Sequence, residues 1–195
     1  MSIYQKKSSN QCGATLKEAV LLVICIAILS VSAAVAYVKL MNRAKNINTL
    51  NQIASIISNV YAFYNGAMYK DLDNRTAVGR QLVPPEMIRS RDEIVHPFKG
   101  KVKIASVSEN TGFAIMLNNL SKETCTKIAS ADWGSDSSGL KFFMISDIGY
   151  EMPQYFPEKL NAGEYKSEDL PLSPQRAALD CSCEKDTCGV ILMFQ

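Results

Sequence analysis

The sequence predicts an α+β fold in which one very long N-terminal helix lies against an antiparallel β-sheet head carrying short helices. Three observations carry this. Residues 14–65 contain neither Gly nor Pro, the two residues that most oppose helix. Beyond residue 100 the chain returns repeatedly to short runs rich in β-branched and aromatic residues, separated by turn residues. Four of the six cysteines lie beyond residue 100, an even number that suits a disulfide-stapled domain outside the cytoplasm.

The bulk numbers bound the rest. A chain of 195 residues makes one globular domain with an appendage. Hydrophobic content of 47% and charged content of 21% are ordinary for a folded protein. The net charge of +2 is small, and Lys and Arg form no basic block, so composition gives no support to nucleic-acid binding.

Along the chain, "MSIYQKKSSNQCG" is short, polar and basic. Residues 19–38 then carry no charge, no Gly and no Pro. As a helix this run spans about 30 Å, the thickness of one bilayer core. A cleaved secretory signal would need its apolar stretch before the cut. Here the stretch follows the candidate site, Gly13, and "SSNQC" lacks the apolar residues expected before a lipidated Cys12. The simplest alternative is an uncleaved signal-anchor with its basic tail in the cytoplasm.

If continuous, the helix over residues 14–65 would be about 78 Å long. Its second half is amphipathic: Ile47, Leu50, Ala54, Ile57, Tyr61 and Tyr64 recur at steps of three and four, and Ile53, Ile56, Val60 and Phe63 widen the stripe. Asn46, Asn48, Asn51, Gln52 and Ser55 are expected on the remaining surface, and Tyr61, Phe63 and Tyr64 in the core. Gly66 is the expected stop.

The elements beyond it read in order. Residues 68–82 form a polar connection. "VPPEMIRSRDEI" suggests a short helix opened by Pro84 and Pro85. "HPFKG" (96–100) is a turn. Residues 101–107 and 111–117 are strands joined by "SEN". "LSKETCTKIASAD" is a helix capped by Ser121, and 140–148 is a third strand. Residues 149–172, with three prolines, are expected to be an irregular loop. "SPQRAALDC" is a helix with Ser173 as cap and Pro174 in first position. "GVILMF" is a closing strand, making about four in all.

Cys25 lies within the apolar run, where a thiol behaves as a small hydrophobe. Cys125, Cys181, Cys183 and Cys188 allow three connectivities. Cys183 and Cys188 are close enough for a local loop, which leaves Cys125 for Cys181. The spacing in "CSCEKDTC" is not that of a zinc ribbon, and His96 is the sole histidine, so no metal is expected. Asp132, Asp136 and Asp147 do not form a calcium loop. His96 precedes Pro97 with no nucleophile near it, Trp133 reads as a core residue, and no Gly-rich phosphate motif occurs. Neither an enzyme nor a cofactor is expected.

The segment "CGATLKEAVLLVICIAIL" resembles a type IV prepilin of the type IVb branch: a short basic leader, a glycine before the cut, and glutamate fifth in the mature chain. "HPFKG", "NTGFAIMLNNLSKETCTKIA" and "AALDCSCEKDTCGVILMF" are most similar to segments of the bundle-forming pilin. The resemblance implies the type IV pilin fold. It further implies cleavage by prepilin peptidase between Gly13 and Ala14, N-methylation of Ala14, and Glu18 as the assembly carboxylate. The pairing Cys125–Cys181 fits the family, and Cys183–Cys188 is its complement. The implied layout is a leader at 1–13, a transmembrane and filament-core helix at 14–39, its amphipathic half at 40–65, and a head at 66–195.

By the same resemblance the protein is the major subunit of a type IVb pilus in a Gram-negative cell, used for adhesion, aggregation or cell contact. It would sit in the inner membrane by a single pass, with its head in the periplasm. An inner-membrane platform with a cytoplasmic ATPase would then draw it through an outer-membrane secretin into a homopolymeric surface filament. Ala14 in first position and Lys17 before Glu18 depart from the commoner pattern. They leave room for the alternative of a minor pilin, or a pseudopilin of a type II secretion filament. An anchored periplasmic binding module is the remaining reading.

Overall fold

The computed structural model describes residues 16–133, 139–147, 152–157, 161, 163–183 and 187–195. The first helix, α1, runs Leu16–Tyr64. The chain divides into a unit ending at Arg43 and a second unit, residues 44–195.

In the first unit α1 is apolar on every side. Its most apolar 18-residue window has a mean hydropathy of 2.9 and none of it is buried. Ser30 and Ser32 keep their hydroxyls satisfied by donating to the carbonyls of Ile26 and Ile28, each at 2.8 Å. Such back-bonding lets a polar side chain sit in an apolar helix.

The second unit holds α2 (Asn74–Gly79), β1 (Ile94–Val95), β2 (Lys101–Val107), β3 (Gly112–Ser121), α3 (Lys122–Ala129), β4 (Leu140–Asp147), β5 (Glu164–Lys166), α4 (Pro174–Asp180) and β6 (Thr187–Phe194), with 3-10 turns at Pro85–Met87 and Ser167–Asp169. The six strands form one sheet in the order β1-β2-β3-β6-β4-β5. Every pairing is antiparallel. The last strand in sequence thus lies in the middle, and Val190, Ile191, Leu192, Met193 and Phe194 are all buried. A strand covered on both faces reads as a continuous apolar run, which is what "GVILMF" is.

One sheet face packs on the second half of α1. Ile53, Ile56 and Val60 share a core with Ile104, Phe113, Ile115, Leu117, Phe143, Leu192 and Phe194. Tyr61 meets Phe113 edge-on, with ring centroids 5.3 Å apart, while Phe113 stacks on Phe194 at 4.8 Å. The other face carries a smaller cluster, Val107, Ala114, Met116, Met144, Ile191 and Met193, against which Met152 and Phe156 pack.

The buried face of α1 differs from the expected stripe. It comprises Asn46, Thr49, Gln52, Ile53, Ile56 and Val60, whereas Ile47 is 53% exposed and Ala54 is also exposed. The residues expected to widen the stripe are its centre, and two amides expected on the surface are buried. The cause is local pairing. Thr124 Oγ1 donates to Asn46 Oδ1 at 2.8 Å, Asn46 Nδ2 donates to Glu123 Oε1 at 3.2 Å, and Gln52 Nε2 donates to Glu86 Oε1 at 3.2 Å. A buried amide is tolerated once its hydrogen bonds are made; Asn46 meets this with both polar atoms, whereas Gln52 does so with Nε2 alone, its Oε1 being buried without a partner. Tyr61 and Tyr64 pack against the core, but Phe63 is 46% exposed under the Arg80 guanidinium, 5.5 Å from its ring.

Three further expectations are corrected. The helix expected at 83–94 is only the 3-10 turn Pro85–Met87 followed by β1, because Ile94 and Val95 pair with Val102 and Lys101. The connection at 68–82 contains α2, capped by the Asp73 carboxylate, which accepts from Thr76 N at 2.7 Å. The loop at 149–172 includes β5, held on β4 by Phe142–Lys166, Phe143–Tyr165 and Met144–Glu164.

At the β2–β3 turn three successive residues, Ser108, Glu109 and Asn110, have φ of 52°, 55° and 69°. The left-handed region costs an ordinary L-residue about 1–2 kcal/mol. Ser108 nonetheless holds both its neighbours: its N–H donates to Gln154 O at 2.7 Å and its hydroxyl accepts from Phe156 N at 3.1 Å. Glu109 is the least committed of the three. Glu109→Gly is expected to raise stability by up to about 1 kcal/mol, the gain being trimmed by the extra freedom of glycine in the unfolded chain. A shift in the urea midpoint measures it, and a loss of stability contradicts it.

Candidate assembly surface and disulfide staples

The apolar half of α1 is the largest exposed hydrophobic surface among the described residues. Leu21, Leu22, Val23, Ile28, Leu29 and Val35 are each more than half exposed. Burying one such side chain is worth about 1.5–3 kcal/mol, so this helix requires lipid or other apolar helices around it. Glu18 lies in the first turn of α1, exposed, with Lys17 before it. An acid there is favoured by the unpaired N–H groups of the helix start. Gly13 and Ala14 lie outside the described residues, so the structure places only Glu18 of the three residues tied to processing and assembly. Cys25 is an exposed free thiol on the same helix.

The other cysteines are joined. Cys125 and Cys181 form a bridge 56 residues apart in sequence. Both are fully buried, and the bond ties α3 to the end of α4. Two serine caps place these helices: Ser121 Oγ accepts from Thr124 N, and Ser173 Oγ accepts from Arg176 N. Cys183 and Cys188 form the second bridge, closing a loop five residues apart. With all four sulfurs so used, "CSCEKDTC" offers no thiolate for zinc. No group of three or more His, Cys, Asp or Glu able to hold a metal occurs among the described residues.

His96 is buried between two backbone groups. With the ring neutral and its proton on Nε2, it donates to Asn118 O at 2.7 Å, and Nδ1 accepts from Phe98 N at 3.2 Å. Gly100 packs on the ring so closely that an added Cβ would meet Nε2 at 2.2 Å. Burial lowers the imidazole pKa below its ordinary value, against a smaller rise from the Asn118 carbonyl. A folded pKa below the unfolded one means the folded state binds fewer protons. The contribution is therefore complete above about pH 6.5 and is lost as pH falls from there through the folded pKa. The urea midpoint is expected to fall between pH 7.5 and 5, and His96→Gln should flatten that part of the profile. A profile unchanged by the substitution contradicts this role.

The remaining described surface has one large open groove of about 820 Å³ over β1 and β2, where Asp73, Asp92 and Glu93 alternate with Arg75, Lys101 and Lys103. Trp133 is half-buried and donates from its indole N–H to Ile128 O at 2.9 Å, fixing the end of α3. Asp136 lies outside the described residues.

Residues that sequence reading passed over are the amides that tie α1 to the head. Asn59 Nδ2 donates to Leu82 O at 3.1 Å, adding a third amide anchor to those of Asn46 and Gln52. The signal was available, since Asn46, Thr49, Ile53, Ile56 and Val60 follow one another at steps of three and four. Compared with known proteins, residues 41–182 match the family model for bundlin. No individual curated protein matches the chain.

Proposed function

Because the chain belongs to the bundlin family of type IVb pilins, we propose that it is the major subunit of a type IVb pilus, polymerising through α1 into a surface filament for adhesion or cell contact. Family membership makes it a type IV pilin subunit. The observation that supports polymerisation is a helix whose apolar half has no cover within its own chain. In this reading residues 1–13 are removed, 14–39 cross the inner membrane and later fill the filament core, 40–65 brace the head, and 66–195 face the periplasm and then the exterior.

Prepilin peptidase would cut between Gly13 and Ala14 and methylate the new amine. That amine is the cation Glu18 of a neighbouring copy needs, since an ionised carboxylate among apolar helices is costly without one. Both ions lose water on pairing, so the pair adds little net energy. It sets the axial offset of one helix on the next. Helix packing supplies cohesion, and outside the bilayer each uncovered Leu or Ile would cost about 1.5–3 kcal/mol. The assembly platform with its cytoplasmic ATPase and the outer-membrane secretin are the machinery this route requires.

Glu18→Ala should leave insertion and head folding unchanged and cut filament yield by at least about tenfold, the effect of roughly 1.4 kcal/mol per added subunit. Normal filaments from that variant would overturn the role. Mass spectrometry of the purified protein should report a chain starting at methylated Ala14 and lacking four hydrogens. A retained Met1 in polymerised protein would overturn the processing. The departures at Ala14 and Lys17 favour a second reading, a minor pilin or secretion pseudopilin; bulk filaments composed of this chain decide against it.

A further inference from the structure

We infer that the end of the head sheet carrying Lys45, Lys99 and Lys122 is a docking surface for anionic phospholipid headgroups, engaged while the subunit waits in the membrane. The inference rests on the membrane-anchored reading above.

These lysines come from separate elements gathered at one end of the sheet. Lys45, on α1, sits over the ring of Phe98, with its ammonium 5.8 Å from the centroid. Phe98 belongs to the turn 96–100, which is closed by His96 N–H donating to Gly100 O at 3.0 Å and Lys99 N–H to His96 O at 2.8 Å. Lys99 is exposed at the tip of that turn, in the left-handed region at φ 65°. The turn is fixed to the end of β3 by the His96 contact to Asn118 O and by Lys101 N–H donating to Asn118 Oδ1 at 2.7 Å. Lys122 opens α3 three residues after β3 passes Asn119, and its ammonium donates to Ser182 Oγ at 2.8 Å. Next to it, Asn46 of α1 bonds Thr124 and Glu123, so all three lysines surround the point where α1 enters the head.

Charge pairing leaves these cations available. Among the described residues, Lys127 pairs with Glu123 at 2.7 Å and Lys101 with Glu93 at 4.0 Å. Among the described residues no salt bridge engages Lys45, Lys99 or Lys122. Half-buried Pro97 and Phe98 lie beside them, a pairing of apolar and cationic side chains suited to the headgroup layer.

Chain length keeps Lys45 close to the membrane surface. The uncharged run ends at Val38 and Lys45 follows seven residues later. Within α1 that is about 10 Å of rise, while the headgroup layer extends about 5–7 Å beyond the hydrocarbon and a lysine side chain covers the rest. Lys39 and Arg43 add positive charge on the way. A lysine held near an anionic surface changes its occupancy about fivefold, an effect that salt removes.

The test reconstitutes the full chain in nanodiscs of phosphatidylcholine, with or without phosphatidylglycerol at about one lipid in three. Hydrogen exchange is then followed at the amides of residues 98–101 and 122–127. At low salt, phosphatidylglycerol should slow exchange there at least about fivefold, with no change at β6. High salt should remove the effect, as should the variant Lys99→Gln/Lys122→Gln, which leaves Lys45 on Phe98 and so keeps the head intact. Equal exchange in both lipids, with the chain inserted, overturns this inference alone. A chain that does not enter the discs overturns the anchored reading together with it. Protection that is indifferent to lipid but appears on polymerisation assigns the patch to a contact between subunits and overturns the lipid role.

Discussion

Replacing Cys125 and Cys181 together by alanine is expected to lower the unfolding free energy of the head by about 4 kcal/mol, the loop-closure term for so long a loop. The bridge spans 56 residues of sequence, and both sulfurs are fully buried. It links α3, which follows β3, to the segment entering β6, so without it two short helices are held by their serine caps, apolar contacts and a few hydrogen bonds such as Thr124 to Asn46 and Lys122 to Ser182. The same replacement at Cys183 and Cys188, only five residues apart, should cost about 2 kcal/mol. The ranking is the sharper expectation. Urea unfolding of the two double variants in detergent, at matched pH, measures it. Equal losses, or a larger loss for the short loop, would show that loop entropy does not govern this head.

Asn74→Ala is expected to cost about 2–4 kcal/mol, with unfolding monitored in the same way. Asn74 opens α2, and its side chain does the work of a strand. Oδ1 accepts from Ile104 N at 2.7 Å, while Nδ2 donates to Val102 O at 2.9 Å and to Asp92 O at 3.0 Å. Two residues further along β2, Ser106 N–H donates to Leu72 O at 2.9 Å. β1 covers only two residues of β2, and these contacts occupy three backbone groups of that edge, Val102 O, Ile104 N and Ser106 N. Alanine leaves a partly buried N–H and a carbonyl without partners, the costlier side of hydrogen-bond energetics. Asn74→Asp keeps the acceptor for Ile104 and loses both donations, so it should fall between the wild type and Asn74→Ala. A loss below about 0.5 kcal/mol for alanine would mean that water replaces the side chain without penalty.

The long helix, its stop at Gly66, the four longer strands, and the helices capped by Ser121 and Ser173 were legible because each rests on a local rule: apolar period, absence of breakers, or a capping hydroxyl. What was not legible depends on partners distant in sequence. Asn46 and Gln52 read as surface residues because amides usually are. Only Glu123, Thr124 and Glu86, more than thirty positions away, make their burial affordable. β1 and β5 are two and three residues long, too short to carry a period, and they exist because β2 and β4 lend them a template. Asn74 looked like a turn residue in a polar connection, although the Asp73 cap before it was readable. For the proposed assembly carboxylate the reverse holds: Glu18 stands out in sequence by its position against the apolar run, and the isolated chain adds that it is exposed at the helix start.

The edge of β2 covered by Leu72 and Asn74 bears on how copies behave when crowded in one plane. Bare backbone along a strand invites zippering with the next molecule and leads to irreversible clumping. Here one flank of the sheet is stoppered by a side chain and the other ends in a three-residue strand, so heads can jostle without welding. In the proposed filament, cohesion between copies is left to the greasy helices.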